Sequence, residues 1–146
     1  MRAVVQRVDE ARVEVDGKVT GEIGQGLLAL ISIDAQDDED DIKWMANKIS
    51  GLRVFTDGFG KMNFSALDLG LEVLSVSQFT LHGRVKKGFR PSFTDAAPPE
   101  KGKEYWNKLN DELRKYGVRV CEGIFGAMMK VYIVNDGPVT ILLEYP

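Results

Sequence analysis

The residues whose types and spacing could do chemistry lie together in Ser77-Gln78-Phe79-Thr80. They follow Leu71-Glu72-Val73-Leu74-Ser75-Val76, whose apolar and β-branched residues are those that strands favour. Polar side chains clustered at the end of a buried strand are what a rigid scaffold holds at the rim of a site. The plainer reading is that Ser77 and Thr80 only satisfy backbone groups where the strand stops. If the strand runs on unbroken, Ser77 and Phe79 face one side, Gln78 and Thr80 the other. Thr80 would then point the same way as His82 and could form a hydroxyl–imidazole pair. Ser77 is not in a G-x-S-x-G elbow, and no P-loop or GxGxxG follows a strand. Paired carboxylates of the glycosidase kind are not evident. Side chains of this sort offer hydrogen bonds and little acid–base power. An enzyme built on them must rely on main-chain amides and on the substrate itself.

Gly137-Pro138, inside Asn135-Asp136-Gly137-Pro138, is the second unusual feature. A Pro between two apolar strands reads as an ordinary turn. It also reads as a shaped backbone element, because an X-Pro bond takes cis at a cost of roughly 0.5–1 kcal/mol. Gly removes the side chain that would block a ligand's approach.

Charge adds a third. The formal net charge of −3 argues against nucleic acid as a general partner. Yet no acidic residue occurs between Val73 and Thr94, where Arg84, Lys86, Lys87 and Arg90 fall. Asp34 to Asp41 carries the counterweight. A local basic segment beside a candidate site suits an anionic ligand that touches only that region. With one Cys (Cys121) and one His, and no CxxC or HExxH, no metal site and no cofactor are expected. The lone Cys excludes an internal disulfide and fits a reducing cytoplasm. The charged, alternating N-terminus reads as neither signal peptide nor membrane span.

The elements that must position these residues follow from pattern. At 146 residues, 44% hydrophobic and 28% charged, the chain reads as one domain spanning 1–146. Arg2 to Val8 alternates as a strand, and Arg12 to Thr20 reads as a hairpin turning at Asp16-Gly17. Leu27 to Ile33 is a nearly continuous apolar run and should be a central strand buried on both faces. Asp37 or Asp38 can cap a helix carrying Ile42, Met45, Ala46, Ile49 and Leu52 on one stripe. Arg53-Val54-Phe55 is a short strand and Asp57 to Lys61 a turn. Met62 to Gly70 stays open between loop and helical turn. His82 to Pro99 reads as a long surface loop. Pro98 and Pro99 open a second helix with Trp106, Leu109, Leu113 and Tyr116 buried and Gly117 as its stop. Val118 to Cys121, Ala127 to Val134 and Val139 to Tyr145 are strands. The fold class is α+β: a mixed sheet curling into a barrel-like core with two main helices.

Ser77-Gln78-Phe79-Thr80 and Asn135-Asp136-Gly137-Pro138-Val139-Thr140 resemble the two signature motifs of the D-aminoacyl-tRNA deacylases. The resemblance extends to Gln6-Arg7-Val8, Gly21-Glu22-Ile23-Gly24, Gly60-Lys61-Met62-Asn63 and Arg90-Pro91-Ser92-Phe93. It implies a homodimer with active sites at the subunit interface. It also implies hydrolysis of the ester joining a D-amino acid, or glycine, to the 3′-terminal adenosine of tRNA. By this resemblance the Gly137-Pro138 bond is cis and reaches the neighbouring subunit's pocket, where its carbonyls hold the substrate's α-amino group and exclude an L side chain. Ser77, Gln78, Phe79 and Thr80 would line the site, with the amides near Phe79 and Thr80 stabilising the oxyanion. The attack would come from Thr80 or be assisted by the ribose 2′-hydroxyl. The absence of a base partner for Thr80 favours the second. Arg84, Lys86 and Lys87 would contact the tRNA, and neither DNA nor membrane is an expected partner. Two rival readings are a non-enzymatic dimeric RNA-binding protein using the Arg84 to Arg90 loop and a small esterase using Ser77.

Overall fold

The computed structural model describes Met1–Pro146. Its spine is β1 (Arg2–Val15), a single strand of 14 residues long enough to take three neighbours. The first half pairs antiparallel with β3 (Gly26–Ser32), and the second half with β2 (Lys18–Ile23) across the Asp16-Gly17 turn. Both turn residues have positive φ, 51° and 76°, as a two-residue hairpin turn of this twist requires. The other edge of β1 pairs antiparallel with β8 (Lys130–Glu144). Beyond β3 the sheet turns parallel, through β6 (Glu72–Ser77) to β7 (Arg119–Glu122). The sheet then curls until β7 approaches β2. A Cβ on Gly21 would stand 2.5 Å from the Glu122 carbonyl oxygen, so only glycine admits this near-closure. The expected mixed, barrel-like sheet is therefore observed.

The strand periodicity sorts side chains into two cores. On β3, Leu27, Ala29 and Ile31 face the helices, while Leu28 joins Val8, Val13, Leu74 and Val76 inside the curl. Both faces of β3 are buried, as its apolar run predicts. Helix α1 (Glu39–Gly51) is capped by Asp38, whose carboxylate accepts from the Asp40 and Asp41 amides while Asp41 returns a bond to the Asp38 amide. Asp37 does something else: it accepts from the N-terminal amine of Met1 at 2.7 Å.

Three expectations need correction. Two strands, β4 (Phe55–Thr56) and β5 (Met62–Phe64), form a separate small sheet, and a third helix, α2 (Ala66–Leu69), follows the Ser65 cap. Helix α3 (Pro99–Lys115) buries Trp106, Leu109 and Leu113, but Tyr116 is exposed and the inward position is held by Asn110, bonded to Glu122 at 2.7 Å. The two strands expected around Asn135–Pro138 are one strand, β8, which keeps its pairing to β1 on both sides of a wide bulge. Val8 pairs Asn135 and Gln6 pairs Thr140, so residues 136–139 stand opposite Arg7 alone. A Pro is tolerated there because β8 is an edge strand and the bulge has left the ladder.

Candidate active site

Strand β6 stops at Ser77. The Gln78 amide still donates to the Ile31 carbonyl at 2.7 Å, and the chain then winds into one 3₁₀ turn, Phe79–His82. The Gly83 amide closes this turn on the Thr80 carbonyl at 2.9 Å. The turn decides between the open readings of Thr80. A continuing strand would set Thr80 and His82 on one face, but the winding separates them. Phe79 and Thr80 are exposed, Ser77 and Gln78 half-buried, and His82 is only 2% exposed. Thr80 Oγ1 receives its hydrogen bond from the Gln78 side-chain amide. His82 points inward, with Nδ1 on Ser32 Oγ and Nε2 3.3 Å from Asp34 Oδ2. Burial, and Arg2 next, hold the imidazole below its ordinary range against the opposing pull of Asp34. The sole histidine is therefore not the base of Thr80.

Phe79 is held from two directions. Its ring meets Phe93 edge-on at 5.2 Å between centroids, and Ser32 Oγ donates to its carbonyl at 3.2 Å. Arg2 reaches the next carbonyl but one, donating to Leu81 at 3.0 Å. Neither Ser32 nor Phe93 is obvious as a partner in sequence, because 47 residues separate Ser32 from Phe79.

The Gly137-Pro138 element is exposed, and its bond is cis. Gly137 has φ 125°, and a Cβ there would lie 3.0 Å from Val139 Cγ2 and 3.3 Å from Arg7 Nη2, so a side chain is strained as well as crowded. Arg7 braces the bulge. Its Nε donates to the Asp136 carbonyl at 3.2 Å and lies 3.1 Å from the Asp136 carboxylate, while Nη1 donates to the Val54 carbonyl at 2.6 Å. Pattern reasoning gave Arg7 no role in the candidate site, yet the signal exists. Arg7 occupies the inward phase of β1 with Met1, Ala3 and Val5, and a charged residue there needs buried partners.

One chain does not bring the two motifs together. Arg7, beside the bulge, pairs with Leu27; Leu27 pairs with Val73, whereas Ile31 pairs with Ser77. The motifs are thus offset by four residues along the strands, about 13 Å, and by three strand spacings of about 4.8 Å across the sheet.

Of the basic residues, Arg84 is paired with Asp95, and an antiparallel bridge joins Arg84 to Ser92 at the root of the loop. Lys86, Lys87 and Arg90 are exposed around Phe89, which is 104% exposed. The Cys121 thiol, raised by burial and by Glu72, is not a ready nucleophile. No three His, Cys, Asp or Glu side chains gather as metal ligands, and no helix is long and apolar enough to cross a membrane.

Comparison with known proteins gives the family and the fold. Residues 4–144 match the family model described as D-Tyr-tRNA(Tyr) deacylase. A protein of Thermotoga petrophila named D-aminoacyl-tRNA deacylase is 54% identical over 144 residues, which cover 99% of this chain and 97% of that one. A solved structure named c-Myc DNA Unwinding Element Binding Protein superposes with TM-score 0.94 at 45% identity, covering 100% of this chain and 99% of the other. A probable eukaryotic D-amino acid tRNA deacylase shares the fold, with TM-score 0.84 at 17% identity and 97% of each chain covered.

Proposed function

The chain belongs to the D-Tyr-tRNA(Tyr) deacylase family and is a hydrolase of the D-aminoacyl-tRNA ester, and from that premise we propose that its chemistry is carried by main-chain groups of both motifs and by the substrate. The observation that carries this reading is the surroundings of Thr80. Its hydroxyl meets an amide, and the one imidazole is turned into the core. A neutral hydroxyl without a base is a poor nucleophile. The ribose 2′-hydroxyl beside the ester is the remaining activating group, and the Phe79 and Thr80 amides receive the developing oxyanion, where one donor is worth about 10²–10³ in rate. Ser77 and Gln78 line the pocket.

Gly137 and Pro138 act as the chiral filter. Their carbonyls hold the α-amino group and form a wall that admits a hydrogen, hence glycine or a D residue, where an L side chain would sit. Apolar pockets alone discriminate only about 10–200-fold, so a fixed backbone wall is the stronger device. The separation of the motifs within one chain supports a filter donated by a second copy, in a homodimer with shared sites. The exposed apolar residues of β8, among them Ile133, Val134 and Leu142, support that strand as the contact. Lys86, Lys87 and Phe89 suit the phosphates and unpaired bases of the tRNA 3′ end. The solved neighbour named for a DNA element raises duplex DNA as another ligand; failure of duplex DNA to compete with charged tRNA is the expected result.

Hydrolysis of D-tyrosyl-, glycyl- and L-tyrosyl-tRNA, measured for the unmodified protein and Gly137→Ala, tests the reading. The unmodified protein should cleave the first two and spare the third. Gly137→Ala should lose on the order of 10²-fold on both good substrates, the typical cost of small misplacements. Unchanged rates would make the bulge a mere turn. Hydrolysis of neither enantiomer would favour a binding module, and indifference to chirality and tRNA a general esterase.

A further inference from the structure

Behind the catalytic turn lies a buried polar relay for which the reaction above has no use. Ser32, at the end of β3, is 1% exposed and touches both the Phe79 carbonyl and His82 Nδ1; His82 Nε2 in turn faces Asp34. The Phe79 carbonyl and the Thr80 N–H belong to one planar trans peptide, so they point in opposite directions. A donor on that carbonyl fixes the plane from behind and polarises the N–H in front, because hydrogen bonds in a chain strengthen one another.

We propose that Ser32 and His82 are positioning residues that set the donor strength of the Thr80 amide, with protonated His82 turning the Ser32 hydroxyl onto the Phe79 carbonyl. The inference rests on the reading that this amide receives the oxyanion. Hydrogen-bond counting supplies the switch. Ser32 has one proton. It can donate to Phe79 only if Nδ1 carries a proton, and Nε2 needs a proton to face the Asp34 carboxylate. All three contacts are satisfied together only by the imidazolium. When one proton leaves, the one on Nε2, 3.3 Å from the Asp34 carboxylate, is held by that charge and is kept. Nδ1 then becomes an acceptor, Ser32 turns its proton to it, and the Phe79 carbonyl loses its donor. Arg2 from β1 and the Met1 amine oppose the charged ring, while Asp34 and Asp95 favour it; all four line the polar cleft beside His82, together with Asp37, Arg84 and Glu144. Burial and Arg2 place the switch on the acid side of the ordinary imidazole range.

The test has two arms. In the first, the Thr80 amide resonances of ¹⁵N-labelled protein are followed with pH alongside the imidazole of the single histidine. They should titrate together, and the titration should vanish in Ser32→Ala. In the second, kcat and KM for D-tyrosyl-tRNA are compared between unmodified protein, Ser32→Ala and Ser32→Cys, which keeps a γ atom but is only a weak donor. The kcat ratio of unmodified protein to each variant should be about tenfold where His82 is charged, less than the 10²–10³ of a deleted donor, and fall towards one above that range, with KM unchanged. Thr80 resonances that ignore the imidazole, or a ratio of one throughout, would overturn the relay. Should Ser32→Ala not fold, the titration of the unmodified protein decides alone. A relay that titrates in a protein unable to hydrolyse D-tyrosyl-tRNA would instead overturn the oxyanion reading, and the catalytic part of this inference with it.

Discussion

Gln78 gives its side-chain amide to the Thr80 hydroxyl, and an amide neither takes a proton from an alcohol nor returns one to a leaving group. The distinction between side chain and main chain at residue 80 can therefore be measured. Thr80→Ala keeps the amide and should stay within about tenfold of the unmodified kcat, whereas Thr80→Pro removes the N–H and should lose about 10²–10³. Near-total loss in Thr80→Ala, with a trappable acyl-enzyme, would make the hydroxyl the nucleophile. His82 makes a separate prediction about stability. Its folded-state pKa lies below the ordinary 6.5, so folding prefers the neutral ring. That contribution is complete above 6.5, where both states are neutral. It is lost as pH falls from 6.5 towards the lowered value, because the unfolded chain takes up the proton first. Urea unfolding of the unmodified protein and His82→Asn across this window should show the unmodified protein losing the larger share of stability. Parallel curves would contradict it.

At the scale of elements, the 84–92 loop is rooted on the 3₁₀ turn of residues 79–82, since the Phe93 ring packs on Phe79 and Arg84 bridges Ser92. Its exposed cations should serve binding and leave the chemical step alone. Replacing Arg84, Lys86 and Lys87 by Ala should raise KM for charged tRNA at unchanged kcat and reduce the salt slope by about one per lost phosphate contact. Arg84 should matter least, because Asp95 already holds it. An unchanged KM and slope would leave the loop a solvated face. How far such elements can be read from sequence depends on whether their signal is local. The apolar run of β3, the Asp38 cap of α1 and the Asp16-Gly17 turn are local, and they stand where pattern puts them. The 3₁₀ turn is not written in its own residues. Phe79-Thr80-Leu81-His82 alternates well enough for a strand, and what bends it is set by Ser32 and Arg2, distant in the chain. Likewise β8 was divisible on paper because Gly-Pro normally ends a strand, while its continuity comes from β1, over a hundred residues earlier, pairing on both sides of the bulge.

Across the whole molecule, the sheet holds its two chemical motifs apart. The Ser77–Thr80 rim sits at the far end of β6, and the Gly137-Pro138 bulge sits on an edge strand beside Arg7, braced from within and exposed without. A braced, exposed bulge set apart from the Ser77–Thr80 rim fits the proposal of a site completed by a second copy. The motifs themselves were legible from residue types; their separation was not, because it arises from sheet order and register. The most direct measurement of the account is complementation between protomers. Thr80→Pro and Gly137→Ala proteins, each nearly inactive on D-tyrosyl-tRNA, are unfolded together, refolded as a mixture and assayed. The mixed dimer joins one intact rim to one intact filter, so D-tyrosyl-tRNA hydrolysis should reappear, and L-tyrosyl-tRNA should remain untouched. A mixture no more active than its parents, although exchange of protomers is verified, would contradict the shared site.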